Sequence, residues 1–134
     1  MRLPITALSA AALALLLVAL TIHALRLRKA YRVPFGDGGH PPLLRAIRAH
    51  GNLIEYMPIG LAMISLLESS GAPPRLLAPL AALFVASRVI HGLGVQYEGD
   101  RLGPLRAIGV QSTLLVLTAF ALWLGVLAAR ALWG

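Results

Sequence analysis

The sequence predicts an all-α membrane protein, a bundle of four transmembrane helices, and three observations lead to that prediction. Of its 134 residues, 58% are hydrophobic and 13% are charged, whereas soluble domains carry about 25% charged residues. The mean hydropathy is +0.79. Several apolar stretches reach the ~20 residues that cross the hydrocarbon core of a bilayer. We therefore expect one transmembrane domain over residues 1–134.

The four helices follow from apolar runs separated by turn signals. The first run, residues 3–25, is uncharged and precedes a basic stretch, which indicates a retained stop-transfer helix rather than a cleaved signal peptide. Pro42 and Pro104 suit the first turns of the second and fourth helices. The other helices are predicted over about residues 43–69, 75–95 and 105–132. Short connections make consecutive members of these three antiparallel.

The orientation is predicted from the distribution of Lys and Arg. Nine of the 12 basic residues fall on the side of the first and third connections: Arg26, Arg28, Lys29, Arg32, Arg45, Arg48, Arg88, Arg101 and Arg106. The other side has three, namely Arg2, Arg75 and Arg130. By the positive-inside rule the first side is cytoplasmic. We expect a multi-pass protein of a bacterial inner membrane with both termini in the periplasm.

Composition also excludes several classes of function. The chain has no cysteine, so disulfides, thiolate metal sites and Cys nucleophiles are excluded, and any thiol chemistry must use the sulfur of a substrate. The net charge of +7 fits topology signals that meet anionic membrane lipids, and no aromatic-interleaved basic module predicts nucleic-acid binding. No second His or carboxylate stands at ligand spacing, so no metal site is predicted.

Polar side chains of the second helix share one face about 100° wide, since successive residues are rotated by about 100°. The members of this face are Arg45, Arg48, Asn52, Glu55 and Tyr56. His50 points away from it. Glu55 lies deepest among the charged members, and an acid within a membrane is a functional candidate by default. Pro58 is expected to bend the helix and to leave the carbonyl of Ile54 without its usual donor beside Glu55.

The third helix adds a second polar pair. Arg88 and His91 are three residues apart and therefore lie on one face. Arg88 stands in an apolar run and needs an anion, for which Glu55, at a similar depth, is the expected partner. Simpler structural roles stay open, because an Arg48–Glu55 ion pair or Asn52 alone would also hold helices together.

Residues Arg48 to Pro58 resemble the R-A-x-x-N-x-x-E-Y-x-P signature of helix two in the MAPEG family, the membrane-associated proteins of eicosanoid and glutathione metabolism. The resemblance covers nearly the whole chain and includes Arg101-Leu-Gly-Pro104 before the last helix. The Arg-x-x-His pair at Arg88 and His91 is similar to that of bacterial members of unassigned substrate.

The resemblance implies a homotrimer that binds glutathione between neighbouring subunits on the cytoplasmic side. The glutathione-binding residues expected on this basis are Arg28, Arg48, His50, Asn52, Glu55, Tyr56, Arg88 and His91. Arg101 matches the arginine that steadies the thiolate in the leukotriene-synthase branch, and it is the expected catalytic residue. Glutathione has two carboxylates and one ammonium, so its site needs several cations and one acid.

The function expected from the resemblance is that of a glutathione-dependent transferase or peroxidase acting on lipophilic electrophiles from the bilayer. A non-catalytic lipid-binding or scaffold member of the same fold is the alternative, because His91 and Val95 stand where the leukotriene-synthase branch has tyrosines. A small multidrug or ion transporter is disfavoured, since that family places its acid in helix one, and helix one here is uncharged from Leu3 to Leu25.

Overall fold

The computed structural model describes residues 1–99 and 103–134, which form four α-helices and no strand. The helices are α1 (Pro4–Tyr31), α2 (Pro41–Ser69), α3 (Pro74–Tyr97) and α4 (Pro104–Trp133). Each begins with proline in its first turn, where the missing N–H has no intrahelical acceptor to bond and the fixed φ is already helical. The all-α prediction is confirmed.

Three of the helices, α1, α3 and α4, are long and apolar enough to cross a membrane. The second helix is long enough but is less apolar than these three. Its N-terminal half carries Arg45, Arg48 and Glu55, which lower its hydropathy although its 29 residues extend over about 44 Å. The structure therefore gives three candidate membrane spans, and α2 differs from them by its polar first half.

The packing of the helices places α2 and α3 at the centre of the fold. The second helix packs against both α1 and α3, and α4 packs mainly on α3, while the described residues of α1 and α4 do not meet. The fully buried side chains at the middle of these contacts include Leu13, Ile64, Phe84 and Phe120. A side chain at Gly60 would overlap the ring of Phe84, so this glycine lets α2 and α3 approach closely.

The first helix continues to Tyr31, beyond its predicted end at residue 25, because the basic stretch is itself helical. The residue that follows it, Arg32, caps the helix in the left-handed conformation (φ 56°), and the Val33 amide donates to the carbonyl of Arg28 at 3.1 Å. Tyr31 then stacks on His40, with ring centroids 4.1 Å apart. The next residue, Pro41, begins α2.

Two glutamates cap helices other than their own. Glu68, at the end of α2, accepts hydrogen bonds from the amide (2.8 Å) and the hydroxyl (2.7 Å) of Thr6 in the first turn of α1. Glu98, at the end of α3, accepts from the amides of Leu105 (2.6 Å) and Arg106 (3.0 Å) in the first turn of α4. The N-cap positions of α1 and α4 have no side-chain cap, so the glutamates satisfy amides that lack intrahelical partners.

Candidate functional site

A buried cation joins α2 and α3. The side chain of Arg88 is only 3% exposed, and its Nη1 donates a hydrogen bond to Oδ1 of Asn52 at 2.9 Å. The guanidinium carbon lies 4.9 Å from the centroid of the Tyr56 ring, within the range of a cation–π contact. The sequence predicted Glu55 as the partner of Arg88, and the structure gives neutral Asn52 instead.

The geometry of α2 explains this arrangement. Asn52 and Tyr56 are four residues apart, so both lie on the side of the helix that faces Arg88. Glu55 and Arg48 belong to the same polar face but stand at its edge, where both are exposed in the single chain. The helix continues through Pro58, which removes the usual donor to a carbonyl beside Glu55.

Three buried side-chain nitrogen atoms of α3 have no hydrogen-bond partner in the described part of the chain: Nε of Arg88, Nδ1 of His91 and, further along the helix, Nε2 of Gln96. His91 is 7% exposed and packs against α4 at Gly109, where a Cβ atom would overlap its backbone. A buried cation carries a desolvation penalty of several kcal/mol, which an anion with suitable acceptors offsets. The cluster around Arg88 is therefore suited to binding an anionic group.

Arg28 and His50 lie apart from this cluster, on the opposite side of α2. Both line a cleft of about 210 Å³ between α1 and α2. Nη1 of Arg28 donates to the carbonyls of Gly36 at 2.9 Å and Pro34 at 3.2 Å, so this guanidinium also holds the α1–α2 connection. His50 is rotated by about 200° from Arg48 around the helix axis. Within one chain, the predicted glutathione-binding residues therefore lie on two separate surfaces.

Arg101, the predicted catalytic residue, lies outside the described residues, and its role stays a prediction. Sequence reasoning also missed the hydrogen bond from Arg88 to Asn52. The signal for it was present, since Asn52 and Tyr56 share one stripe of α2 and a buried arginine favours an amide oxygen and an aromatic ring. The cap formed by Glu68 was missed as well, because it joins α2 to the first turn of α1, which is distant in sequence.

The model of the MAPEG family matches residues 6–126 of this chain. The chain belongs to the MAPEG family. The inner membrane protein YecN of Escherichia coli (strain K12) is 36% identical to it over 122 residues, which cover 89% of this chain and 91% of that protein. The protein of the same name from Escherichia coli O6:H1 matches to the same extent. These similarities and the three apolar helices support a multi-pass protein of the inner membrane.

Proposed function

We propose that this MAPEG protein is a glutathione-dependent membrane enzyme, a transferase or peroxidase for lipophilic electrophiles that enter from the bilayer. The observation that carries the proposal is the buried Arg88, held by the neutral groups of Asn52 and Tyr56. The same α2 face presents Arg48 and Glu55 at its edge. Family membership supports the choice of glutathione among anionic ligands.

The charges of this face match those of the tripeptide. Arg48 and Arg88 would pair with the two carboxylates or with one carboxylate and the thiolate, and Glu55 would pair with the ammonium. A thiol with an ordinary pKa of about 8.5 is only a few per cent ionised at neutral pH, and a nearby arginine raises that fraction. In the transferase reaction the thiol proton passes to water, and the thiolate sulfur then forms a bond to the electrophilic carbon. A leaving group departs from that carbon with its bonding electron pair or, in an addition, the π pair moves to the neighbouring atom, which takes a proton from water. Arg101 is proposed to stabilise the same thiolate.

We further propose that the site is completed between copies of the chain in a homotrimer. A cyclic trimer joins two different surfaces of neighbouring subunits. The face with Arg28 and His50 would then meet the face with Arg48 and Glu55 of the next copy. An exposed glutamate halfway along a 29-residue helix gives a physical reason to cover this face. In this assembly α2 is the fourth span, and the site opens to the cytoplasm.

Isothermal titration of glutathione into the detergent-purified protein tests the proposal. We expect binding by the wild type and loss of binding in Arg48→Ala and Glu55→Gln. Arg75→Ala is the matched control, because Arg75 is an exposed cation at the opposite end of the bundle. An ultraviolet scan of the bound form checks for thiolate absorbance. Absence of glutathione binding by the wild-type protein would exclude the proposed enzymatic function.

A non-catalytic lipid-binding or scaffold role is the second candidate. The observation that favours it is the presence of two largely apolar grooves between α1 and α3, with volumes of about 390 and 350 Å³. This role needs no glutathione, so titration separates the two candidates. Bound lipid without any glutathione binding would support the second one.

A further inference from the structure

A groove between α1 and α3 lies on a different side of α3 from the buried cation. It has a volume of about 390 Å³, and its walls include Leu16, Leu20 and Leu93. Val89, in the wall of the groove, follows Arg88 directly and is rotated from it by about 100°. None of the residues proposed to bind glutathione lines this groove, so an inference about it is independent of the glutathione site. It rests on the lipid-binding role proposed above and asks which class of lipid the groove selects.

One end of the groove is polar and includes a cation, Arg45. Arg45, near the start of α2, and Gln96, in the last turn of α3, line this end together with Pro42, and His23 of α1 lies about one turn deeper. The positive end of the α2 helix dipole faces this region, which adds to the charge of Arg45. Nε2 of Gln96 is buried and has no hydrogen-bond acceptor among the residues described. This end therefore offers a cation and an amide donor suited to an anionic oxygen.

The length of the groove matches one leaflet of a bilayer. Its α1 wall runs from Leu16 to Leu27, eleven helical rises or about 17 Å, and half of the hydrocarbon core is about 15 Å. The polar end lies on the side of the basic α1–α2 connection, where lipid headgroups would stand. A second apolar cavity of about 350 Å³ lies further along the same two helices, between Ile5 and Ala86.

We propose that this groove binds an anionic phospholipid, with one acyl chain along α1 and α3 and the phosphate at Arg45 and Gln96. The body of the groove is apolar, as an acyl chain requires. Its end includes the guanidinium of Arg45 and the side-chain amide of Gln96, whose buried Nε2 has no acceptor among the residues described. A zwitterionic lipid would bring a cationic group close to Arg45, so the site discriminates by net charge.

Gly92 provides a selective way to fill the groove. It lies in the groove wall, and a Cβ atom added to it would meet no atom within 4 Å. A side chain can therefore start at this position without a clash at its Cβ atom, and a leucine is expected to occupy part of the groove. Gly125 on α4 is the matched control, because it is also helical, equally open around its Cβ position and outside the groove.

Native mass spectrometry of the full chain, released from nanodiscs of equal parts phosphatidylglycerol and phosphatidylcholine with the same acyl chains, tests the proposal. We expect the wild type to retain phosphatidylglycerol in preference to phosphatidylcholine. Gly92→Leu should lower this retention by about tenfold and Gly125→Leu should not. The double variant Arg45→Gln/Gln96→Leu should retain both lipids equally, because the apolar groove remains and the anion contacts are lost.

Equal retention of both lipids by the wild type would overturn the proposal, and so would equal retention of phosphatidylglycerol by the wild type and Gly92→Leu. In the second case, a smaller oligomer for Gly92→Leu would show that a second copy of the chain covers the groove. Glutathione titration of the same samples reports on the proposed glutathione site and not on the groove. Loss of one kind of binding can therefore be distinguished from loss of the other.

Discussion

Arg88 is buried without an acidic partner among the described residues, and this decides what its replacement should do. Arg88→Met removes the charge and keeps an apolar stem of similar length. We expect glutathione affinity to fall by about 10- to 100-fold, the range given by loss of charge-assisted hydrogen bonds. The apparent melting temperature should stay equal or rise, because apolar replacement of a buried charge is often neutral or stabilising. Isothermal titration and thermal melting on one preparation check both expectations.

Arg88→Lys is the control, since it keeps the charge but loses the planar guanidinium that bonds Asn52 and stacks on Tyr56. An intermediate affinity is expected. The opposite pattern for Arg88→Met, a lower melting temperature with unchanged binding, would give Arg88 a purely structural role between α2 and α3.

At the level of residues, the sequence predicts which side chains belong to the polar face but not how they pair. The predicted pairing of Arg88 with Glu55 rested on their similar depth in the membrane. The angle around α2 decides the contact, because Asn52 and Tyr56 point towards α3 while Glu55 stands at the exposed edge. A periodicity argument gives relative angles within one helix and not the rotation of that helix against its neighbour.

At the scale of elements, two glycines of α2 differ in what surrounds them. A Cβ at Gly60 would overlap the fully buried ring of Phe84, whereas a Cβ at Gly51 would meet nothing within 4 Å. We expect Gly60→Ala to destabilise the bundle by about 1–3 kcal/mol through overpacking. Gly51→Ala should be neutral or stabilise it by up to about 1 kcal/mol, because alanine favours helix. Unfolding of both variants in the same detergent, followed by circular dichroism, measures the difference; equal stabilities would contradict the close packing of α2 on α3.

The number of helices follows from the sequence because prolines and glycines mark their boundaries. Their ends are less predictable where a charged stretch continues a helix, as α1 does up to Tyr31. The caps provided by Glu68 and Glu98 also lie beyond local patterns, since each joins two helices that meet only in the folded chain. Local signals thus specify where a helix begins, and tertiary contacts specify how its free amides are satisfied.

The absence of cysteine allows the orientation of the whole molecule to be measured without background labelling. Phe35 in the α1–α2 connection and Ser70 after α2 are both exposed, so each accepts a single introduced cysteine. The charge bias predicts that a membrane-impermeant maleimide labels Ser70→Cys in spheroplasts and Phe35→Cys only after lysis. Labelling of Phe35→Cys in intact spheroplasts would reverse the proposed orientation.

The proposed site between subunits predicts complementation in mixed oligomers. His50 and Arg48 lie on opposite sides of α2, so a site that uses both takes them from two neighbouring chains. Neither His50→Ala nor Arg48→Ala alone should bind glutathione with wild-type affinity. A mixed trimer, purified through two different tags, should regain about one intact site in three, because only one of its interfaces unites the two native residues. His50 is preferred to Arg28, whose guanidinium also holds the α1–α2 connection. If each site were built within a single chain, every chain of the mixture would carry one defect and titration would detect no high-affinity binding.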